Sequence, residues 1–291
     1  YARQRANLEA TLPAEQVGGT FVGQGARLAS VTQARDRFLE AQIPGYLGQA
    51  SRSSAASSAL QAVSALDPEA AGGLGDALSA FYASLQQLSQ NAGDASLRGG
   101  VLGAARALAR SFAATRSSLE DARTAADAKL QGGVSEVNGL ARTVASLNVQ
   151  IRQARAGGGE PNDLLDARQK AVDRLAELAG GTPVPTSEGD LSVFLPGGAA
   201  LVSGGQAATL AAAPDASNAG HLALTVAQPG GAPQAVAAAG GELGGILDAR
   251  DGALRAAVDG VDTLAFDLAG AVNAAHQAGF GLDGSTGLAL F

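Results

Sequence analysis

Apolar residues at heptad spacing constrain this chain more than any other feature. Val134, Val137, Ala141, Val144, Asn148 and Ile151 step by 3, 4, 3, 4 and 3, and Leu254, Val258, Val261, Ala265, Leu268, Val272 and Ala275 step by 4, 3, 4, 3, 4 and 3. Such a repeat winds an apolar seam along one side of an α-helix and requires a facing helix to cover it. The two stripes match in kind, and the sequence pairs them with each other. Small side chains suit this arrangement: 66 of the 291 residues are Ala and 40 are Gly. With so few large apolar groups, closely spaced helices bury more than a wide sandwich. At about 100–200 residues per domain, the length corresponds to two domains, or to one with an insertion.

Other helices follow from the same periodicity. Leu74, Leu78, Phe81, Leu85 and Leu88 form one stripe, and Leu97, Val101, Ala105, Leu108 and Phe112 a second. Asn91 to Asp94 is the turn between them, with Asp94 or Ser96 as N-cap of the second helix. Polar Asn148 lies inside the heptad seam. It reads either as a core amide with its bonds satisfied or as a register pin between helices. Gly157-Gly158-Gly159 ends that helix, and Asn162 to Leu178 returns as the second arm of an antiparallel hairpin, with Asn162 as N-cap and Asp163 in its first turn. Upstream, Thr20–Val22 and Arg27–Val31 read as short strands that pair. Phe38, Leu39, Gln42 and Ile43 begin a helix that Pro44-Gly45 breaks or kinks.

Beyond Gly180 the pattern changes. Leu191–Leu195, Ala199–Val202, His221–Ala227 and Gln234–Val236 are short alternating runs separated by Gly/Pro turns, which describes a small β module. The fold class is therefore mainly α with an inserted β module: an elongated helical bundle domain with short N-terminal strands plus a small β domain. Residues 1–31 are an extended or β-hairpin lead-in. Residues 32–181 are the first part of the helical domain, 182–241 the inserted β domain, and 242–291 the returning helical part.

Composition excludes several function classes. The net charge is −7, a poor match for nucleic acid or an anionic membrane. Cys is absent and His occurs only as His221 and His276, which leaves no thiolate or His-rich metal site. No run of about 18 apolar residues exists to span a membrane. The polar N-terminus has no signal-peptide core. Met is absent, the initiator included, which reads as a piece of a longer chain.

Catalytic motifs fail one by one. Ser203 lacks the preceding Gly of a nucleophile elbow. Neither Lys129 nor Lys170 follows a Gly, as a phosphate-binding loop requires, and Gly23-Gln24-Gly25 and Gly73-Leu74-Gly75 lack the third Gly of a dinucleotide loop. His276 reads as a cap on carbonyls at a helix C-terminus, and His221 has no acidic partner close in sequence. Asp163, Asp166, Asp173 and Glu177, mixed with Arg168, Lys170 and Arg174, make a solvated face or one that docks another subunit. No catalytic, cofactor-binding or metal-binding residue is assigned, and no cofactor or small-molecule substrate is expected.

Several segments resemble a known family. Tyr1-Ala2-Arg3-Gln4 is similar to the Tyr-Ser-Arg-Gln segment near the N-terminus of flagellar axial proteins. Gly25–Leu28 followed by Arg35–Gln42 looks like their strand leading into a helix. Leu147-Asn148-Val149-Gln150-Ile151 with Pro161–Arg168 resembles the helical hairpin of the flagellar hook-associated protein 1 (FlgK) family. So do Gly244–Asp251, and Val272–Gly279 with Leu282-Asp283-Gly284. The resemblance covers nearly the whole chain in order. The Asn-Asp-Leu-Leu-Asp-x-Arg and Asn-x-x-His-x-x-Gly segments are its most specific parts.

The resemblance implies a non-enzymatic structural protein of the bacterial flagellum at the hook–filament junction. It would self-associate into a ring through terminal coiled-coil segments. Its partners would be the hook protein, a second hook-associated junction protein and an export chaperone. It would lie outside the cell, exported by the flagellar type III system without a cleaved signal peptide. Two alternatives stand beside it: another flagellar junction or axial protein, and a secreted adhesin-like or carbohydrate-active protein that binds through the β module. Phe194 is the sole aromatic residue within 182–241, which disfavours the second.

Overall fold

The computed structural model describes residues 4–11, 15–17, 20–22, 25–33, 37–61, 63, 72–236 and 238–291. Contacts divide the chain into two compact units. One holds residues 1–55 and 130–245, the other residues 56–129 and 246–291. The sequence boundaries at 32, 182 and 242 follow secondary-structure type. The contact division follows packing and runs along other lines, because one helix serves both units.

That helix is α3, Ala95–Ala156, 62 residues long. The two stripes at Leu97–Phe112 and Val134–Ile151 are successive parts of it. Asp94 is its N-cap: Oδ1 accepts from the amides of Ser96 at 2.7 Å and Leu97 at 3.2 Å. Six glycines lie within the helix, each unfavourable there by about 1 kcal/mol relative to Ala. Gly133 has a packing reason, since a Cβ there would come within 2.6 Å of Leu243.

In the second unit, α2 (Leu74–Gln90), the first part of α3 and α6 (Arg255–Gln277) surround one core. Phe81, Val101, Ala105, Leu108, Phe112, Leu119, Leu254, Val258 and Val261 are buried in it. The expected pairing of the Leu254–Ala275 and Val134–Ile151 stripes is thus corrected: the Leu254 stripe buries with the earlier part of α3. Heptad spacing identifies a face that needs a partner. It does not choose among partners of equal rhythm.

In the first unit, Val134, Val137, Ala141, Val144 and Ile151 are buried along the later part of α3, and Val172, Leu175 and Leu178 along α4 (Asn162–Ala179). Arg174 of α4 binds Glu136 at 2.8 Å and Arg168 binds Asn148 at 2.8 Å, the antiparallel register the hairpin requires. The residue at the N-cap of α4 is Pro161, with no side-chain cap hydrogen bond, so Asn162 is not the N-cap expected; Asp163 does lie in the first turn. α1 (Arg37–Leu60) runs through Pro44 without ending, so of the break or kink expected there the break is corrected. A helical Pro forfeits one backbone bond, and burial of Pro44 helps to offset the loss. The side chains of Phe38 and Leu39 lie outside the described residues.

The N-terminal strands pair differently from expectation. β1 (Gln4–Ala10) pairs antiparallel with β4 (Ala26–Gln33), and β2 (Glu15–Val17) with β3 (Thr20–Val22), so one hairpin nests within the other. Residues 1–3 of the Tyr-Ala-Arg-Gln segment, Gly18-Gly19, Gly23-Gln24 and Arg35-Asp36 lie outside the described residues.

The β module carries two antiparallel sheets. The first orders β5 (Thr182–Pro185), β6 (Leu191–Phe194), β7 (Ala200–Ser203) and β8 (Gln206–Ala207). The second orders β11 (Gln234–Ala235), β10 (Leu222–Ala227) and β9 (Thr209–Pro214). Gln228 joins them by donating to the Ala200 carbonyl at 2.7 Å. Entry and exit of the module touch. A Cβ on Gly180, at φ 69°, would lie 2.7 Å from the Gly240 Cα, and the Gly240 amide donates to the Ala179 carbonyl at 3.2 Å. This close approach marks the β module as an insertion in the helical part, and helical α5 (Gly241–Asp248) begins directly after Gly240.

Candidate functional site

Polar groups cluster where the β module meets the helical hairpin. Asn148 is fully buried. Its Nδ2 donates to the carbonyls of Leu191 and Gly204, both at 2.8 Å. Its Oδ1 accepts from the Leu191 amide at 3.1 Å and from Arg168 Nη1 at 2.8 Å. All four capacities of the amide are filled, so the satisfied-core reading holds. Asn148 pins α3 to a strand through Leu191 and to α4 through Arg168. Arg168, also buried, donates further to the Gly189 carbonyl at 3.1 Å, and Arg152 pairs with the buried Asp190. Ten residues earlier, Asn138 exchanges two 2.8 Å bonds with the backbone of Leu210. Two asparagines of one helix thus act as strand partners for the module.

In the second unit the helix does not run regularly into α6. Ala249–Leu254 is a π-helical turn. At its head Arg250, 1% exposed, pairs with Asp127 of α3 and binds Asp251 bidentately at 2.7 and 2.8 Å. Burial pulls the guanidinium pKa down, and the two carboxylates more than reverse it, so the net shift is upward. Sequence reasoning missed this ion cluster. A signal existed, because Arg250 continues the stripe backward from Leu254 toward Ile246 and Leu243, a charge in core register.

The C-terminal segment is clasped to α6. Asn273 Oδ1 accepts from the amides of Leu290 at 2.8 Å and Phe291 at 2.9 Å, while its Nδ2 donates to the Phe291 carbonyl at 3.0 Å. His276 Nδ1 lies 2.6 Å from the Leu288 carbonyl, so its ring binds the returning segment instead of capping α6. A cavity of about 650 Å³ opens beside this clasp, lined mainly by apolar side chains with Arg98 and His276 at its edge. Asp283 accepts from the Ser285 hydroxyl at 2.6 Å and amide at 3.0 Å, which holds its carboxyl below the ordinary value.

These arrangements tie side chains to backbone groups and to one another. His221 and His276 fall in different units, and Ser203 is exposed at the end of β7. Asp173 accepts from Gln169 at 2.8 Å and Glu177 from Arg174 at 2.9 Å, bonds made along the surface of α4. Among the described residues no group of three or more His, Cys, Asp or Glu is placed to hold a metal ion, and no helix is long and apolar enough to cross a membrane.

A mainly helical scaffold with an inserted β module, built on side chains that fasten its own segments, is the class that fold and contacts define. Residues 60–291 match the family described as "Flagellar hook-associated protein FlgK helical domain". The chain is 31% identical over 281 residues to flagellar hook-associated protein 1 of Salmonella typhimurium, covering 94% of this chain and 50% of that protein. Against its Bacillus subtilis counterpart it is 33% identical over 210 residues, 66% of this chain and 41% of the other. A solved structure, the flagellar hook junction protein FlgK from Burkholderia pseudomallei, superposes with a TM-score of 0.78 at 30% identity, over 85% of this chain and 46% of that one. The chain belongs to the FlgK family of flagellar hook-associated proteins, which are structural components of the flagellum. It spans about half the length of the relatives it matches.

The segments that carried the family resemblance have structural work in common. Leu147–Ile151 and Pro161–Arg168 meet through the Asn148–Arg168 bond. Gly244–Asp251 supplies the Arg250 cluster, and Asn273 with His276 makes the C-terminal clasp.

Proposed function

We propose that this chain is part of a structural subunit that forms the junction ring between hook and filament, without catalysis. Its partners on this reading are further copies of itself, the hook protein, a second hook-associated junction protein and an export chaperone. It leaves the cell unfolded through the flagellar type III apparatus, for which a chain without Cys is well suited. Residues 182–241 form the inserted β domain, 32–181 and 242–291 the helical part around it, and 1–31 the lead-in.

The observation that carries the reading is the family match over residues 60–291. The geometry agrees with it, since the buried polar groups described above are spent on holding segments together. Deletion of the gene with complementation tests it. Cells lacking the protein are expected to build hooks, to release filament subunits into the medium and to be non-motile. Antibody against the β module should label the boundary of hook and filament in complemented cells. Normal filaments in the deletion strain reject the reading.

A further inference from the structure

We infer that the outer stripe of α6 in one copy of this chain docks antiparallel on the outer stripe of α3 in a second copy. The inference deepens the proposed function and rests on its multi-copy assembly.

Both helices turn buried stripes to the core of the second unit: Val101, Ala105, Leu108 and Phe112 from α3, Val258 and Val261 from α6. The opposite sides point away from that core, so within one chain neither covers the other. On α3 the outward stripe reads Gly99, Gly103, Arg106, Arg110 and Ala113, all exposed, at steps of 4, 3, 4 and 3. On α6 it reads Ala256, Asp259, Thr263, Phe266 and Gly270, all exposed, at steps of 3, 4, 3 and 4. Run antiparallel, the two rhythms coincide residue for residue. Gly270 then meets Gly99, Phe266 meets Gly103, Thr263 meets Arg106, Asp259 meets Arg110 and Ala256 meets Ala113.

Size agrees with this register. Phe266 is 80% exposed, more than any other large apolar side chain described. The position facing it is Gly103, where a Cβ would meet nothing within 4 Å. A Gly inside a helix is unfavourable, and this one has no packing reason within its own chain. A ring laid on bare backbone supplies the reason, and Arg106, the next residue of the stripe, sets a guanidinium beside the ring.

Charge selects the occupant. Residues 95–119 carry Arg98, Arg106, Arg110 and Arg116 and no Asp or Glu, whereas α6 carries Asp259, Asp262 and Asp267 against Arg255 alone. Asp262 binds Arg116 of its own chain at 3.0 Å. Arg106, Arg110 and Asp267 have no ion pair among the described residues, and Asp259 has only a 3.9 Å approach to Arg255. Packing α3 on α3 would set arginines together, and α6 on α6 aspartates. The complementary face is the other helix of another copy. The contact joins two different surfaces, so its repetition generates a ring or a helical array.

Cross-linking between two differently tagged full-length chains tests the docking. One carries Gly99→Cys and the other Gly270→Cys. Both are co-expressed, and hook–filament preparations are treated with a short bismaleimide. A mixed dimer that joins the two tags and needs both cysteines is expected. Asp259→Arg in the Gly270→Cys chain should reduce it about tenfold or more, and Arg110→Asp added to the Gly99→Cys chain should restore it. Loss of the Asp259→Arg chain from flagella that Arg110→Asp restores supports the contact equally. Ala113→Cys with Ala256→Cys, both at exposed alanines, is the second pair, should the first disturb assembly. No mixed dimer from either pair while the cells swim, or a yield indifferent to Asp259→Arg, overturns the docking and leaves the proposed function standing. Absence of the wild-type protein from purified flagella overturns both.

Discussion

Asn148→Ala removes the amide on which the β module hangs. Three of its four bonds are neutral, to the Leu191 amide and to the carbonyls of Leu191 and Gly204, and the fourth joins a guanidinium. At about 1 kcal/mol for each neutral bond and about 1.5–3 kcal/mol for the charged one, the amide contributes roughly 4–6 kcal/mol. Water entering the space left behind recovers part of this, so the expected loss is about 3–5 kcal/mol. Asn138→Ala is the control. It removes two bonds at a half-buried position and should cost about 1–2 kcal/mol. Urea unfolding measures both. Hydrogen exchange adds a local readout, because the Leu191 amide donates to Asn148 Oδ1 and should lose protection in Asn148→Ala. A loss no larger than that of Asn138→Ala, with Leu191 protection unchanged, refutes the reasoning.

Arg250→Met should destabilise by about 3–5 kcal/mol in urea unfolding, since it removes the buried guanidinium that Asp127 and Asp251 both bind; a neutral effect would contradict a structural role for the cluster. Asp94→Ala should cost about 0.5–2 kcal/mol by loss of the α3 cap, read as a lowered melting temperature. Asn273→Ala should free the C-terminal segment, seen as faster proteolytic cleavage after Phe280 with α6 intact; unaltered cleavage argues against the clasp. Asp283 has a folded pKa below its ordinary 3.8, so its turn is fully held above that value and is lost as pH falls through the lowered one. An NMR titration of the Ser285 amide should have its midpoint below 3.8, and a midpoint at or above it contradicts the assignment.

Much of the helical scaffold was legible because its signals are local. The stripes at Leu74–Leu88 and Leu97–Phe112, the Asp94 cap and the Gly157–Gly159 stop all depend on residues within a turn or two. Partner choice is not local, which is why the Leu254 stripe was assigned to the wrong part of α3 and Thr20–Val22 to the wrong strand. β9, Thr209–Pro214, escaped because its run of alanines carries no alternation, yet Leu210 within it is buried and bound by Asn138. Asn162 had the composition of a cap, but the helix begins around Pro161, one residue early. Asn148 announced itself as a polar residue in an apolar seam. Its partners, Leu191 and Gly204, lie 43 and 56 residues away and could come only from the fold.

The contact of Gly180 with Gly240 makes the module exchangeable. Because the chain leaves and re-enters the helical frame through touching backbones, the residues between can lengthen, shrink or be replaced without changing the distance the frame must span. A graft needs glycines at 180, 240 and 241, where a Cβ would strike backbone. It also inherits a debt on the helix: whatever is transplanted must offer main-chain groups to Asn138 and Asn148, or those positions must be redesigned as apolar. Loop swaps that respect the first condition and neglect the second should yield chains that close covalently yet leave the transplanted part undocked.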